Sequence, residues 1–256
     1  MKNKLFESIF TVKKPIIGMI HVWAVKKEEQ IRQALDDLRK MQDFVDGVIV
    51  ENYGWGHYDS NLATDDCARA IGIMAEVVLI MCEIPVGINI MPNDYAKAFR
   101  VADETGCKFI QMDHIVGKFH NCESVNLGEF LEARNKFSNV AVLGGIHPKY
   151  YDLLDPKKLI EESANEAKKL ADAVVVTGKY TGGEADLQDL KTVKLVIGDK
   201  PLIIGSGLNV NNAIAQLKIA DGAIVGTAFK RNGVVRGESI DVDMVKRLME
   251  EVKKLR

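Results

Sequence analysis

The sequence predicts a closed (β/α)8 barrel, and three observations carry that prediction. The chain has 256 residues, close to the roughly 250 that such a barrel takes. Eight short apolar runs alternate with eight longer amphipathic segments, the pattern of parallel strands joined by helical crossovers. Glycine-bearing loops follow the last two runs, where barrels of this kind commonly hold phosphate.

Taken in order, the strands are expected at Pro15–Ile20, Gly47–Asn52, Pro85–Met91, Phe109–Asp113, Val140–Ile146, Ala173–Gly178, Pro201–Gly207 and Gly222–Phe229. They read as mostly apolar because barrel strands are buried on both faces. The helices are expected at Glu28–Phe44, Ala63–Glu83, Asp94–Thr105, Leu127–Lys136, Pro156–Leu170, Leu187–Ile197, Asn211–Ile219 and Val242–Leu255, with apolar residues at three-to-four spacing. In the last, Val242, Val245, Leu248 and Met249 form one face, and Lys246, Arg247, Glu250 and Glu251 the other. An open doubly wound sheet would also alternate strands and helices. Eight complete units favour closure, and Gly18 is followed by Met-Ile-His rather than by the further glycines of a dinucleotide fingerprint. No linker or low-complexity tract divides the series, so residues 1–256 read as one domain.

A formal net charge of -2 with scattered Lys and Arg leaves no footprint for nucleic acid. The stretch from Ile71 to Cys82 is interrupted by Glu76 and is too short to cross a membrane. Cys67, Cys82, Cys107 and Cys122 form no C-x-x-C pair, which speaks against a zinc knuckle. The N-terminal residues lack the apolar region of a secretory signal. The expectation is a cytoplasmic protein, with a homo-oligomer open.

The segment from Pro201 ends a strand in Gly205, Ser206 and Gly207 and opens a helix near Asn211. Backbone N–H groups at such a turn can converge on an anion. Gly226 and Thr227 stand at the matching height after the eighth strand, with Lys230 beyond them. A phosphorylated small molecule is the expected ligand. The alternative is that these glycines only relieve crowding at tight turns.

Active sites in this fold lie at the C-terminal ends of the strands. His21 follows the first strand, Glu51 ends the second, Asn89 and Asn93 lie at the third, Asp113 closes the fourth and His147 follows the fifth; Thr177 and Lys179 mark the sixth. Glu51, Asp113, His21 and His147 are the candidate acid–base set, and spacing does not say which is acid and which base. Asn89, Asn93, Trp55, Thr177 and Lys179 are candidate substrate contacts. A divalent metal is a further option, although no H-x-H or H-E-x-x-H spacing supports it. Lys149 and Lys179 raise a Schiff-base option. The loop Tyr53-Gly54-Trp55-Gly56-His57-Tyr58 reads either as a stacking lid or as a subunit contact.

The run Lys14-Pro15-Ile16-Ile17-Gly18-Met19-Ile20-His21, with Val50-Glu51-Asn52-Tyr53-Gly54, Gly87-Ile88-Asn89, Asn93-Asp94, Val176-Thr177-Gly178, Ile204-Gly205-Ser206-Gly207 and Ala220-Asp221-Gly222-Ala223-Ile224-Val225-Gly226-Thr227, resembles the BtpA family, which includes SgcQ-type proteins. The resemblance covers nearly the whole chain. It implies a phosphate-binding TIM barrel similar to the ribulose-phosphate-binding barrels. It also implies either an enzyme of nucleosidase or sugar-phosphate type or, after the cyanobacterial member, a factor in photosystem I biogenesis. Two departures stand out. Val22-Trp23-Ala24-Val25-Lys26 replaces the family's Pro/Gly-rich loop, and Leu143-Gly144-Gly145-Ile146-His147-Pro148-Lys149 lacks the usual Asp before its Lys-His pair. FMN is a third option, since the same glycine corner can hold its phosphate.

Overall fold

The computed structural model describes residues 4–23, 26–53 and 62–256. Eight parallel strands close into a barrel in chain order: β1 (Ile16–Val22), β2 (Gly47–Asn52), β3 (Val86–Asn89), β4 (Phe109–Met112), β5 (Ala141–Ile146), β6 (Ala173–Val176), β7 (Leu202–Ile204) and β8 (Gly222–Val225). Closure is made by β1 on β8, through Ile16↔Ala223, Ile17↔Ile224 and Gly18↔Val225. Outside them run α1 (Lys4–Ile9), α2 (Lys27–Met41), α3 (Asp65–Met81), α4 (Tyr95–Thr105), α5 (Leu127–Lys136), α6 (Ile160–Leu170), α7 (Leu187–Ile197), α8 (Ala213–Leu217) and α9 (Val242–Lys253).

Strand periodicity sorts the apolar residues into two cores. Ile17, Met19, Ile49, Phe109, Leu143, Val175, Ile203 and Ile224 point inward and fill the barrel. Their neighbours Ile16, Ile20, Val48, Val50, Val142 and Val174 point outward and pack beneath the helices. Polar side chains start several of those helices: Thr64 accepts from the Cys67 N–H, Asp94 from Lys97, and Asp186 from Gln188 and Asp189.

The barrel floor is closed by α1, which the sequence reading missed. At six residues it is too short to display helical periodicity. Its Phe6 joins Phe10, just beyond the helix, under the barrel, and Phe10 meets Phe109 edge-on at 5.4 Å between ring centres. Two glycines make room for these rings. A Cβ on Gly47 would lie 2.9 Å from the Phe10 ring, and one on Gly87 would lie 2.3 Å from that of Phe109.

A repeated device secures the same end. Asp46, Asp172 and Asp221 each stand just before an even-numbered strand and accept the first free N–H of the strand before it. Ile16 N donates to Asp46 at 2.7 Å, Val142 N to Asp172 at 2.8 Å and Leu202 N to Asp221 at 2.9 Å. Each carboxylate also holds a cation: Arg256, Arg134 and Lys194 respectively.

Several elements are shorter than the sequence suggests. β3 stops at Asn89, because the Met91 N–H turns to the Asn52 side chain at 2.8 Å. β8 stops at Val225, and the chain coils into a 3-10 turn at Thr227–Phe229. α6 starts at Ile160 rather than Pro156, since Asp155 closes a turn on the Lys157 N–H. α8 spans only Ala213–Leu217, as Asn209 and Asn212 consume the preceding residues in a hydrogen-bonded turn.

Candidate active site at the C-terminal mouth

The alternation that fills the barrel also places chemistry at its top. Inward parity continues from Met19 to His21 and from Ile49 to Glu51. The ladder sets His21 opposite Glu51, and Glu51 opposite Asn89. Glu51 and Asp113 line one cavity of about 210 Å³ together with His21, Tyr53, Gln111, Lys149, Tyr151 and Thr177. Asn89 stands behind the two carboxyls and joins them, its Nδ2 donating to Glu51 Oε2 at 2.8 Å and to Asp113 Oδ1 at 3.4 Å.

Burial pushes the pKa of Glu51 up to about 7 and the negative charge of Asp113 adds to that push, while Lys149 and the hydrogen bond from Asn89 oppose it. Burial likewise raises Asp113, against the charge of Lys149. Both carboxyls thus resist ionisation, and because the charge of Asp113 acts on Glu51 their titrations are coupled. His21 is forced the other way, down to about 3, by burial and then by the charges of Lys230 and Lys149. Its Nε2 lies 3.8 Å from Glu51 Oε1. With the ring neutral, that contact is neither an ion pair nor a hydrogen bond.

The opposite wall of the cavity is the glycine corner. Gly205, Ser206, Gly207, Gly226 and Thr227 all line it, with Gly182 from the loop after β6. Gly207 has φ +77, and a Cβ there would lie 2.0 Å from the Gly183 carbonyl oxygen, so only glycine lets the two loops meet. A Cβ on Gly226 would strike the His21 ring at 2.5 Å. In the 3-10 turn at Thr227 the Phe229 N–H is spent on the Gly226 carbonyl at 3.1 Å, while the first N–H groups of such a turn have no acceptor within it. The Ser206 hydroxyl is committed within the protein: it accepts from the Gly178 N–H at 2.9 Å and donates to the Gly183 carbonyl at 3.3 Å. Between corner and carboxyls, His21 Nδ1, Gln111 Oε1 and Thr177 Oγ1 are buried without a hydrogen-bond partner among the described residues. Such groups call for an occupant.

Five expected site residues stand outside the cavity, and the first is Asn89, expected to touch a substrate, whose side chain is spent on the two carboxyls. His147, at φ +44, turns its Nε2 toward Ser163 Oγ on α6 at 3.0 Å and lines no part of the cavity. Asn93 is consumed by His114, donating to its carbonyl at 3.0 Å and contacting its Nε2 at 3.3 Å. Lys230 is buried, and its Nζ donates to the Val235 carbonyl at 2.7 Å, bracing the loop before α9 instead of reaching the corner. Lys179 lies in an outer groove beside α7. Trp55, with the lid it would belong to, falls outside the described residues.

What sequence reasoning undervalued is the loop after β5. Beyond His147 it sends Lys149, Tyr150 and Tyr151 into the mouth. Tyr150 donates to Thr181 Oγ1 at 3.2 Å and accepts from the Thr181 N–H at 3.0 Å, joining the loops after β5 and β6. The consecutive Lys-Tyr-Tyr was the available signal. Among the described residues, no group of three His, Cys, Asp or Glu side chains is arranged to hold a metal ion, and no helix is long and apolar enough to cross a membrane.

Comparison with known proteins agrees with this architecture. An uncharacterized protein of Methanocaldococcus jannaschii is 30% identical over 95% of this chain and 97% of its own length. The photosystem I biogenesis protein BtpA of Synechocystis sp. is 27% identical over 93% of this chain and 87% of its own. Among solved structures, N-(5'-phosphoribosyl)anthranilate isomerase from Pyrococcus furiosus superposes with a TM-score of 0.59 at 17% identity, covering 94% of this chain and 99% of that one. A Mycobacterium tuberculosis tryptophan synthase chain superposes at 0.63 and 13% identity, covering 98% and 96%. At those identities the likeness establishes the barrel fold alone. The family model of the BtpA family matches residues 12–254, and the chain belongs to that family.

Proposed function

We propose that the protein is an enzyme acting on a phosphorylated sugar or nucleoside-type ligand, using the Glu51–Asp113 pair for acid–base chemistry. One observation carries this reading: a single cavity joins two buried carboxyls, both held toward the protonated form, to a glycine corner shaped for an anion. In this arrangement the phosphate sits against Gly205, Gly207 and the N–H groups at Thr227. The sugar part meets Thr177 and Gln111, and the reacting carbon or leaving group lies against Glu51, Asp113 and Lys149. Phosphate-ligand chemistry in the names of barrel neighbours, such as the thiamine phosphate pyrophosphorylase of Pyrococcus furiosus, gives collateral support.

For a nucleosidase, one carboxylate activates water and the other group protonates the departing base. For an isomerase or lyase, the same pair removes and returns a proton. His21 is neutral, so it serves as a hydrogen-bonding partner and not as a cation. Incubation of the protein with sugar phosphates and nucleotides, product being followed by phosphorus NMR, tests the reading. Turnover that disappears in Glu51→Gln while binding persists supports it, and turnover at the wild-type rate in that variant removes Glu51 from the chemistry.

A second reading follows from the name of the Synechocystis relative: a non-catalytic assembly factor using the barrel as a ligand sensor. It predicts a stable protein partner and indifference to change at Glu51 and Asp113. FMN in the glycine corner is a third, and a yellow purified protein would favour it.

A further inference from the structure

Two of the three non-glycine residues with positive φ among the described residues flank a single lysine. His147 stands at φ +44 and Tyr150 at φ +69, and between them lie Pro148 and Lys149. A left-handed backbone at a residue with a side chain costs free energy and persists only where surrounding contacts impose it. Such contacts are present on both sides. His147 Nε2 is tied to Ser163 Oγ at 3.0 Å. The Tyr150 hydroxyl donates to Thr181 Oγ1 and accepts from the Thr181 N–H, and the Tyr150 carbonyl accepts from Asn121 Nδ2 at 2.7 Å. The loop after β5 is thus pinned at two strained positions, and the residue held between them lines the cavity.

The Lys149 amine is uncommitted. No hydrogen bond or ion pair ties it to any described residue, although its charge acts on Glu51 and Asp113. The other two lysines expected at the mouth are spent or turned away, Lys230 on the Val235 carbonyl and Lys179 in the groove beside α7. An amine with no bonded carboxylate has its lone pair available once a proton is removed, and two carboxyls line the same cavity to take that proton. The glycine corner on the other wall gives a phosphate its place. A ligand with both a phosphate and a carbonyl group spans the two.

We propose that Lys149 is a catalytic residue that condenses with the carbonyl group of a phosphorylated aldose or ketose in its open-chain form, giving an imine. This rests on the enzyme reading above and narrows it to a lyase or isomerase. The Lys149 ammonium first passes a proton to the carboxylate of Glu51 or Asp113. The free amine adds to the carbonyl carbon, the C–N bond forming as the C=O π pair moves to oxygen, which takes a proton from nitrogen. The proton held by the carboxyl then goes to that hydroxyl, water leaves, and the nitrogen lone pair closes the C=N bond. The sum is ammonium plus carbonyl giving iminium plus water. The iminium draws electrons from the neighbouring C–H or C–C bond, and the carboxylate restored in the last step takes up and returns the proton there.

Reductive trapping tests the assignment. Full-length protein is incubated with glyceraldehyde 3-phosphate, dihydroxyacetone phosphate or ribose 5-phosphate, reduced with sodium borohydride and mapped by peptide mass spectrometry. The expected product, with at least one of these, is a secondary amine on Lys149, heavier than lysine by the ligand less one oxygen atom. The adduct is expected to be lost in Lys149→Met and in Lys149→Arg, which keeps the charge, to persist in Lys179→Met, and to fall when inorganic phosphate competes for the corner. No adduct at Lys149 with any of the compounds, an adduct spread evenly over surface lysines, or turnover retained in Lys149→Arg would overturn the imine. In that event a rise in unfolding temperature with the same compounds would leave the phosphate-ligand enzyme standing, and no rise would remove both readings.

Discussion

Asn89 Nδ2 donates to Glu51 Oε2 at 2.8 Å from a position that is 1% exposed, so Glu51 is held by a side chain that the cavity itself does not reach. Replacing Asn89 with Leu removes a hydrogen bond to the charged form, an interaction worth about 1.5–3 kcal/mol. The acid limb of the rate profile is expected to move upward by about one pH unit or more, since one unit corresponds to about 1.4 kcal/mol. A profile that keeps its position in Asn89→Leu would show that Asn89 does not hold Glu51.

Stability should carry the mark of the carboxyl pair. The Glu51 pKa, about 7 when folded against 4.5 for an ordinary glutamate, means that the folded protein binds more protons than the unfolded chain between those values. The contribution is therefore fully present below pH 4.5 and lost as pH rises through about 7. Glu51→Gln is expected to abolish this decline, giving a variant more stable than wild type at pH 8 to 9 by on the order of 3 kcal/mol at most. His21 works in the opposite direction: its depressed pKa stabilises above about 6.5 and that contribution is lost as pH falls toward 3. Chemical denaturation across pH reads both limbs.

The glycine corner is expected to fail in a graded way. Gly207→Ala forces a side chain at φ +77 against the Gly183 carbonyl, strain on the order of 1–3 kcal/mol before any clash is relieved. It should loosen the loops after β6 and β7 and remove phosphate binding. Gly226→Ala, at a backbone conformation open to any residue, meets the His21 ring at 2.5 Å and the Met19 Cβ at 3.4 Å, side chains rather than backbone, so it should cost less stability than Gly207→Ala while affinity falls. Equal loss of stability in both variants would contradict this ordering.

Two lysines separate binding from bracing. Lys149→Met removes the cation that holds down both carboxyl pKa values, so the pair's titration should rise and activity at neutral pH should fall. Lys230→Met leaves the Val235 carbonyl without its donor and should cost about 1–3 kcal/mol of stability, with phosphate affinity unchanged. A large affinity loss in Lys230→Met would return that residue to the corner.

At the barrel floor, Asp172→Ala strips the Val142 N–H and Arg134 of their partner in one step. Breaking a buried charge pair of this kind costs about 3–5 kcal/mol. Thermal unfolding should register that loss while activity per folded molecule stays at the wild-type value. The bottom face of this fold serves stability and the top face chemistry.

The barrel was legible because both cores are written in a two-residue alternation and a helical stripe, and His21, Glu51 and Asp113 were legible because strand ends must converge in a closed barrel. His147 misled because an αL residue redirects its side chain to Ser163, and backbone conformation after a strand leaves no trace in spacing. Lys230 misled because its partner, Val235, is a carbonyl in a loop of no recognisable pattern. Asn93 misled because its partner, His114, becomes a neighbour only when β3 and β4 are set side by side.

The central claim is that one cavity takes a phosphorylated ligand, and thermal stability against matched pairs of compounds tests it most directly. Sugar phosphates, nucleotides and FMN, each beside its unphosphorylated counterpart, would be compared at equal concentration. A ligand at 100 times its Kd stabilises by about 2.7 kcal/mol. The account predicts a rise in unfolding temperature confined to phosphorylated members and absent in Gly207→Ala. No rise with any of them, or an equal rise with the unphosphorylated partners, would contradict it.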